Sequence, residues 1–326
     1  MKDRKKLFNT NTTHYPINKE WVDSFAALGF DYVGADCSTE DDVIGLAGDA
    51  DILEIPLFPP ITRRVLNNLT NLKAVVKHGI GYANIDTHAA KDLGIPVSNT
   101  PGFCAYEVSC TAVLLLLAAA RKLTFWHNWT VAGNWKPGKP PYSGLDSLKD
   151  ERVGIIGFGA MGRAIYHKLL PFETEIVVHD PFITVDTNQF DVQQTDLDEL
   201  LRTSKYIVLI CGLTKENVHM IDEAQFRLMR QDAVFVNIAR GQLVNEAVMI
   251  RYLQEKRISM AALDVFEQEP MAPDSALLKL DNVILTPHQA GMSPKAKKKL
   301  DDMVYGELMR LVQGKNPEYL LRELRD

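Results

Sequence analysis

The chain has 326 residues, 46% hydrophobic and 24% charged, with a formal net charge of −6, which is the balance of a globular protein long enough for two domains. Its one basic run, Lys295, Lys297, Lys298 and Lys299, falls in an amphipathic helix pattern and reads as a solvated face, so neither nucleic acid nor an anionic membrane is an expected partner. Cys37, Cys104, Cys110 and Cys211 show no metal-ligand spacing and no disulfide framework, which predicts buried free thiols, a cytoplasmic location and no metal.

The first hundred residues alternate strand and helix. Strands are expected at Lys6–Asn9, Asp31–Val33, Asp51–Ile55, Ala74–Lys77 and Val97–Asn99. Helices are expected at Lys19–Leu28, with Trp21, Phe25 and Leu28 on one side, and at Glu40–Ala47, Thr62–Leu69 and Thr87–Leu93. Repeated units of this kind imply a parallel sheet covered on both faces, with ligands beyond the carboxyl ends of its strands. His78-Gly79-Ile80-Gly81 follows one such end, and its backbone N–H groups could hold a carboxylate; a plain glycine turn is the alternative. The charged N-terminus has no apolar core after it, so it does not read as a signal peptide.

Thr100-Pro101-Gly102 is a candidate hinge. A long helix from Tyr106 to Leu123 follows. Its apolar stretch Thr111–Ala120 is too short to span a bilayer, is flanked by Arg121 and Lys122, and reads as buried. Residues Thr130–Ser147, with Trp135, Pro137, Pro140, Pro141 and Gly144, read as a structured loop or arm, a candidate subunit contact.

Val153–Ile156 is an apolar strand pattern running into Gly157-Phe158-Gly159-Ala160-Met161-Gly162, a helical run, and a second strand closed by Asp180. Gly157, Gly159 and Gly162 match G-x-G-x-x-G: one glycine for the tight turn, one for close approach of a pyrophosphate, one for helix–strand packing. Strand, turn, helix, strand and terminal acid in this order predict a dinucleotide site. Asp180 can bind a ribose 2′-hydroxyl, and Pro181 and Phe182 after it supply no cation for a 2′-phosphate, which favours NAD over NADP.

Further strands are expected at Tyr206–Ile210, Ala233–Ile238, Ala261–Val265 and Val283–Leu285, with helices at Asp222–Leu228 and Asn245–Gln254. The last helix opens with Ser293 as N-cap and Pro294 at its first position, with Ala296, Leu300, Met303, Val304, Leu308 and Leu311 as its apolar face. It lies beyond the last Rossmann strand, so it can return to the first domain and make that domain discontinuous. Arg240, Glu269 and His288 stand at or beyond strand ends. A guanidinium, a carboxylate and an imidazole suit a hydroxy–oxo interconversion: the histidine moves the proton, the carboxylate orients it, the arginine binds a substrate carboxylate. Taken singly, each has a structural alternative, and Glu267 competes with Glu269.

Several stretches together resemble the D-isomer-specific 2-hydroxyacid dehydrogenase family, which includes phosphoglycerate and D-lactate dehydrogenases and glyoxylate/hydroxypyruvate reductases. They are Gly79–Asp86, Asn99–Gly102, Gly133–Trp135, Val153–Asp180, Asn237–Glu246, Ala261–Pro270 and Thr286–Gly291. The resemblance implies two Rossmann-like α/β domains, doubly wound with parallel sheets. The substrate domain, flavodoxin-like, comprises residues 1–101 and 292–326, and the NAD-binding domain residues 102–291. It implies an NAD-dependent oxidoreductase acting on a D-2-hydroxy acid or its 2-oxo partner, assembled as a homodimer. Arg240 matches the substrate-binding arginine, His288 the general acid/base and Glu269 its partner. Gly79, Ile80 and Gly81 match the loop that holds the substrate carboxylate. Gly157, Gly159, Ala160, Met161, Gly162, Asp180, Cys211, Ala239, Asp264 and Gly291 match cofactor-binding positions.

The chain departs from the family pattern at Cys104, Cys110, Thr111 and Ile210-Cys211-Gly212, which bears on substrate and cofactor affinity. Pro56 stands where phosphoglycerate enzymes carry a phosphate-binding arginine, so a small or apolar side chain is expected. Lys77, His78, Arg63 and Arg64 are the cations that could replace it. The competing function is an NAD-sensing binding protein without activity, a role some relatives take; the retained Arg240, Glu269 and His288 favour the enzyme.

Overall fold

The computed structural model describes residues 4–56, 58–135 and 145–325. The chain divides into two units, Met1–Phe103 with Ser293–Asp326, and Cys104–Met292.

In the first unit β1 (Lys5–Asn9), α1 (Lys19–Ala26), β2 (Phe30–Gly34), α2 (Glu40–Leu46), β3 (Ile52–Ile55), α3 (Arg63–Asn68), β4 (Ala74–Lys77), α4 (Thr87–Asp92) and β5 (Val97–Ser98) alternate. The five strands are parallel in the order β2-β1-β3-β4-β5. Both faces are covered, so β3 and β4 are buried end to end; they are apolar except for Glu54 and Lys77, which are buried with them. Phe8, Leu53 and Val75 point to one face with Val43, Val65 and Ala89. Leu7, Ile52 and Val76 point to the other, where Leu300, Val304 and Leu308 of the C-terminal helix (Pro294–Val312) join Phe25. The starts of α1, α2 and α4 carry side-chain caps: Asn18 on Glu20 N–H, a Thr39/Asp42 capping box, and Asp86 on Ala89 N–H.

The second unit holds α5 (Ala105–Ala120), α6 (Leu123–Val131), β6 (Arg152–Ile156), α7 (Ala160–Leu169), β7 (Glu175–His179), β8 (Gln193–Gln194), α8 (Leu197–Thr203), β9 (Tyr206–Leu209), α9 (Glu223–Leu228), β10 (Val234–Asn237), α10 (Glu246–Gln254), β11 (Met260–Leu263) and β12 (Val283–Leu285). Its seven parallel strands run β12-β11-β10-β9-β6-β7-β8. The order reverses between β6 and β9, which places the glycine turn after β6 at the switch point of a doubly wound sheet.

Four local expectations differ from the structure. The long helix expected over Tyr106–Leu123 is two helices, α5 and α6, bent by 62°. Lys122 sits between them at φ 49°, a left-handed conformation that a continuous helix cannot contain. The expected loop from Thr130 is still helical at Val131, while residues 136–144, with Pro137, Pro140, Pro141 and Gly144, lie outside the described residues. Leu28 is 44% exposed, because α1 ends at Ala26 and Gly29 turns the chain at φ 83°. The C-terminal helix buries Glu307 beside Leu308, an acid on the apolar face whose carboxylate accepts the N–H groups of Glu318 and Tyr319 at 2.9 and 3.4 Å. Its lysines are exposed, with Lys297–Asp301 and Lys298–Asp302 paired one turn apart. Among the described residues no single helix is long and apolar enough to cross a membrane, though the bent α5–α6 pair passes by length and composition; α5 buries Ala112, Leu115 and Leu116.

Candidate active site and cofactor cradle

The three glycines after β6 do three different things. Gly157 has φ 98°, and a Cβ there would lie 2.8 Å from the backbone N and Cα of Cys211, so only glycine allows this turn. A Cβ on Gly162 would come within 2.2 Å of the Gly157 carbonyl oxygen; its absence lets α7 press onto the turn. A Cβ on Gly159 would meet nothing within 4 Å, so open space lies against the backbone at the start of α7. The first intrahelical bond there runs from Arg163 N–H to the Gly159 carbonyl at 3.0 Å, and the preceding N–H groups, those of Ala160 and Met161 among them, have no intrahelical acceptor. Open space, orphan donors and a helix N-terminus fit a pyrophosphate.

Asp180 follows β7 and is held in place: Oδ2 accepts Phe158 N–H at 2.9 Å and Oδ1 accepts Phe182 N–H at 3.0 Å. A carboxylate so used still has lone pairs for a ribose hydroxyl. Arg163 was not singled out in the sequence. Its Nη1 donates to the Phe158 carbonyl at 3.1 Å, bracing the turn from α7, and its place one residue after the third glycine was the available signal. Cys211 packs beside Gly157 and Met220; burial pushes its thiol up to about 12, so it presents a neutral surface.

Arg240 stands three residues beyond the end of β10. Asn237, missed in the sequence, builds its turn by accepting Ala239 N–H at 3.0 Å and donating to the Arg240 carbonyl at 3.1 Å. The guanidinium is partly buried and bonds to the Ala239 carbonyl at 2.6 Å. Burial pulls its pKa down against the supporting charge of Glu269, and an arginine stays protonated at neutral pH regardless. A Cβ on Gly241 would lie 1.9 Å from the carbonyl carbon of Phe266, so the arginine turn is pressed onto the loop that carries Glu269.

His288 and Glu269 meet at Nδ1···Oε2 2.6 Å. The other glutamate oxygen accepts Phe266 N–H at 3.0 Å. Glu267 is engaged elsewhere, with His219 Nε2 at 2.5 Å and Glu246 N–H at 3.3 Å, so geometry separates the two acids that the sequence left open. His288 itself sits at φ 50° and is braced by its N–H on the Asp264 carbonyl at 2.8 Å. Asp264 is fully buried. Its carboxylate accepts Thr286 hydroxyl at 2.6 Å, Gln289 N–H at 3.0 Å and Ala290 N–H at 2.8 Å, which ties the whole His288 loop to β11. Thr111 of α5 donates to the Ala290 carbonyl at 3.3 Å, and a Cβ on Gly291 would stand 3.0 Å from Cys104 Sγ. Two of the departures from the family pattern thus pack against the histidine loop, while Cys110 is exposed and Cys211 only partly buried, against the expectation of buried thiols.

In the first unit the Gly79–Gly81 turn is fixed from behind: Thr100 N–H donates to the Gly79 carbonyl at 3.1 Å and Asn99 Nδ2 to the Ile80 carbonyl at 2.8 Å. Lys77 and His78 were expected as candidates for direct contact with a substrate anion. Both are buried, at 4% and 3% exposure, and Lys77 Nζ bonds to the Pro56 carbonyl and to Asn84 Oδ1. Arg63 and Arg64 lie on α3 in exposed pairs with Asp92 and with Glu40 and Asp41. Phe58 is 59% exposed; its neighbour Leu57 lies outside the described residues. Among the described residues no cluster of three or more potential metal ligands occurs.

The family model "D-isomer specific 2-hydroxyacid dehydrogenase, NAD binding domain" matches residues 113–290. A glyoxylate reductase from Korarchaeum cryptofilum is 35% identical over 86% of this chain and 85% of its own length. A D-3-phosphoglycerate dehydrogenase from Archaeoglobus fulgidus is 32% identical over 92% of this chain, which spans 56% of that relative. An NADPH-dependent glyoxylate/hydroxypyruvate reductase from Sinorhizobium meliloti, solved with NADP and malonate, superposes with a TM-score of 0.85 at 25% identity, covering 98% of each chain. The glycine turn, the carboxylate–imidazole pair and these matches lead to one assignment: the chain belongs to the D-isomer-specific 2-hydroxyacid dehydrogenase family and is an NAD-dependent oxidoreductase of that kind.

Proposed function

We propose that this enzyme reduces 2-oxo acids with a small or apolar side chain to D-2-hydroxy acids, using NADH in preference to NADPH, as a cytoplasmic homodimer. The observation that carries the catalytic part is the His288–Glu269 bond at 2.6 Å, with Arg240 on a turn packed against the glutamate's loop. Glu269 occupies Nδ1 and so leaves Nε2 to deliver the proton to the forming alkoxide. Arg240 binds the substrate carboxylate and draws charge from the carbonyl. The Gly79–Gly81 backbone N–H groups are assigned to a substrate carboxylate through their match to the family loop. Gly157, Gly159, Ala160, Met161, Gly162 and Asp180 hold the dinucleotide, with Cys211, Ala239, Asp264 and Gly291 along its length. Bound NADH supplies the hydride.

The substrate preference is supported by the absence of an arginine at Pro56 and by the commitments of Lys77, Arg63 and Arg64 described above. A phosphate dianion there would lack a bidentate partner. The test compares kcat/KM for phosphohydroxypyruvate with glyoxylate, pyruvate, hydroxypyruvate and longer aliphatic 2-oxo acids. Phosphohydroxypyruvate is expected to be the poorer substrate; a tenfold advantage for it would refute this reading of the loop.

A further inference from the structure

Directly before the Gly79–Gly81 turn, His78 is enclosed in a charged network that the mechanism above does not use. Its Nδ1 lies 2.7 Å from Glu54 Oε1 of β3, and its Nε2 lies 3.4 Å from Asp301 Oδ1 of the C-terminal helix. Glu54 is fully buried, and Tyr32 of β2 donates to its other oxygen at 2.7 Å. The Tyr15 ring stands over the imidazole at 4.1 Å between centroids. Lys297 holds the other oxygen of Asp301 at 2.9 Å. These groups border one small polar cavity with Asn9 and Trp21. Two carboxylates, two phenols and one ammonium are therefore what His78 faces from every element packed on it.

A neutral imidazole has one N–H and one lone pair. With its proton on Nδ1 for Glu54, it turns a lone pair towards the Asp301 carboxylate. Only the imidazolium can donate to both acids. The ring nitrogen towards Asp301 has no partner at normal hydrogen-bond distance and angle, so the contact is a loose one that the second proton would tighten. Burial opposes the charge on His78, but Asp301 and Glu54 outweigh it and raise the histidine pKa above its usual range; Asp301 is correspondingly lowered, against burial, by His78 and Lys297.

The backbone links this ring to the substrate turn. His78 N–H donates to the Ile55 carbonyl at 2.9 Å, and Gly79 is the next residue. We propose that His78 is a positioning residue for the substrate carboxylate: as an imidazolium clamped between Glu54 and Asp301 it fixes the start of the Gly79–Gly81 turn, and substrate affinity weakens when it loses that proton. The inference rests on the assignment of that turn to the substrate carboxylate. The sign follows from the raised pKa: the clamp is complete below about 6.5, the unperturbed histidine value, and is lost as pH rises through the higher folded value.

The test pairs kinetics with a direct view of the ring. The His78 imidazole resonance, assigned by its loss in His78→Gln, is followed by NMR against pH in the intact protein, while KM and kcat for glyoxylate and the Kd for NADH are measured over the same range. His78→Gln should raise KM about tenfold, the scale of a lost charge-assisted hydrogen bond, with kcat and NADH Kd unchanged. The rise of KM that tracks the His78 titration in the unmodified protein should be missing in the variant. Asp301→Asn, a milder change at a partly exposed position, should shift both the resonance and the KM limb to lower pH, and Asp301→Glu should restore them. A ring that is neutral at pH 6, or a KM profile that ignores the variants, overturns the proposal. Failure of the unmodified protein to reduce any 2-oxo acid while the ring titrates as described would instead refute the substrate reading, and with it the role of the clamp.

Discussion

The glycine turn allows a contrast between two alanine substitutions three residues apart. In Gly162→Ala the new methyl would lie 2.2 Å from the Gly157 carbonyl oxygen, more than about 1 Å inside ordinary van der Waals contact. The group it meets is backbone and a Cβ has no torsion by which to swing away, so the helix must move off the turn. Overpacking of this kind costs about 1–3 kcal/mol, which for a unit of this size lowers Tm by roughly 3 to 10 °C. In Gly159→Ala the methyl meets no protein atom within 4 Å, and the residue's φ of −72° suits alanine. Stability should therefore stay within about 0.5 kcal/mol. The methyl would occupy the space where the backbone must approach a pyrophosphate, so NADH should bind at least about tenfold more weakly, or about 1.4 kcal/mol. Calorimetry for Tm and fluorescence titration of NADH read the two effects separately. Unchanged NADH affinity in Gly159→Ala would refute the cradle, and an undiminished Tm in Gly162→Ala would refute the packing.

Asp180→Ala should weaken NADH far more than NADPH, by parallel titration; equal use of NADPH by the unmodified protein would refute the cofactor preference, with Arg163 then the cation to examine. His288→Asn should bind NADH normally and lose on the order of 100-fold or more in kcat, the scale of general acid catalysis, in steady-state and binding assays. Asp264→Ala strands the N–H groups of Gln289 and Ala290 and the Thr286 hydroxyl. It should cost about 3 kcal/mol or more by denaturant unfolding, with kcat falling because the His288 loop loses its anchor.

Elements with strong local signals were legible from the sequence. Ala74–Val76 and Val283–Leu285 are apolar runs bounded by polar residues, and both strands fall where expected. Ser293-Pro294 announced the last helix through capping chemistry that needs no tertiary contact. Gln193–Gln194 carries no apolar signal and pairs only because β7 offers it a parallel edge. The break at Lys122 has neither proline nor glycine to mark it. At the site, residue types and strand ends picked out Arg240, Glu269 and His288. The choice of Glu269 over Glu267 by residue reasoning alone was not available, since two acids two residues apart differ only in where the loop turns them. Asn237 and Asp264 act by tying backbone N–H groups, a role that spacing does not reveal. The burial of Lys77 and His78 was hidden for the same reason: a cation beside a glycine turn looks solvent-facing until Glu54 and Pro56 are brought under it.

The most direct measurement is NADH oxidation by the purified protein with a series of 2-oxo acids, run beside His288→Asn and followed by chiral analysis of the product. The expected result is NADH-dependent reduction of small or apolar 2-oxo acids to the D-2-hydroxy acid, abolished in the variant while NADH still binds. Tight NADH binding with no turnover on any member of the series, or an L product, would contradict it.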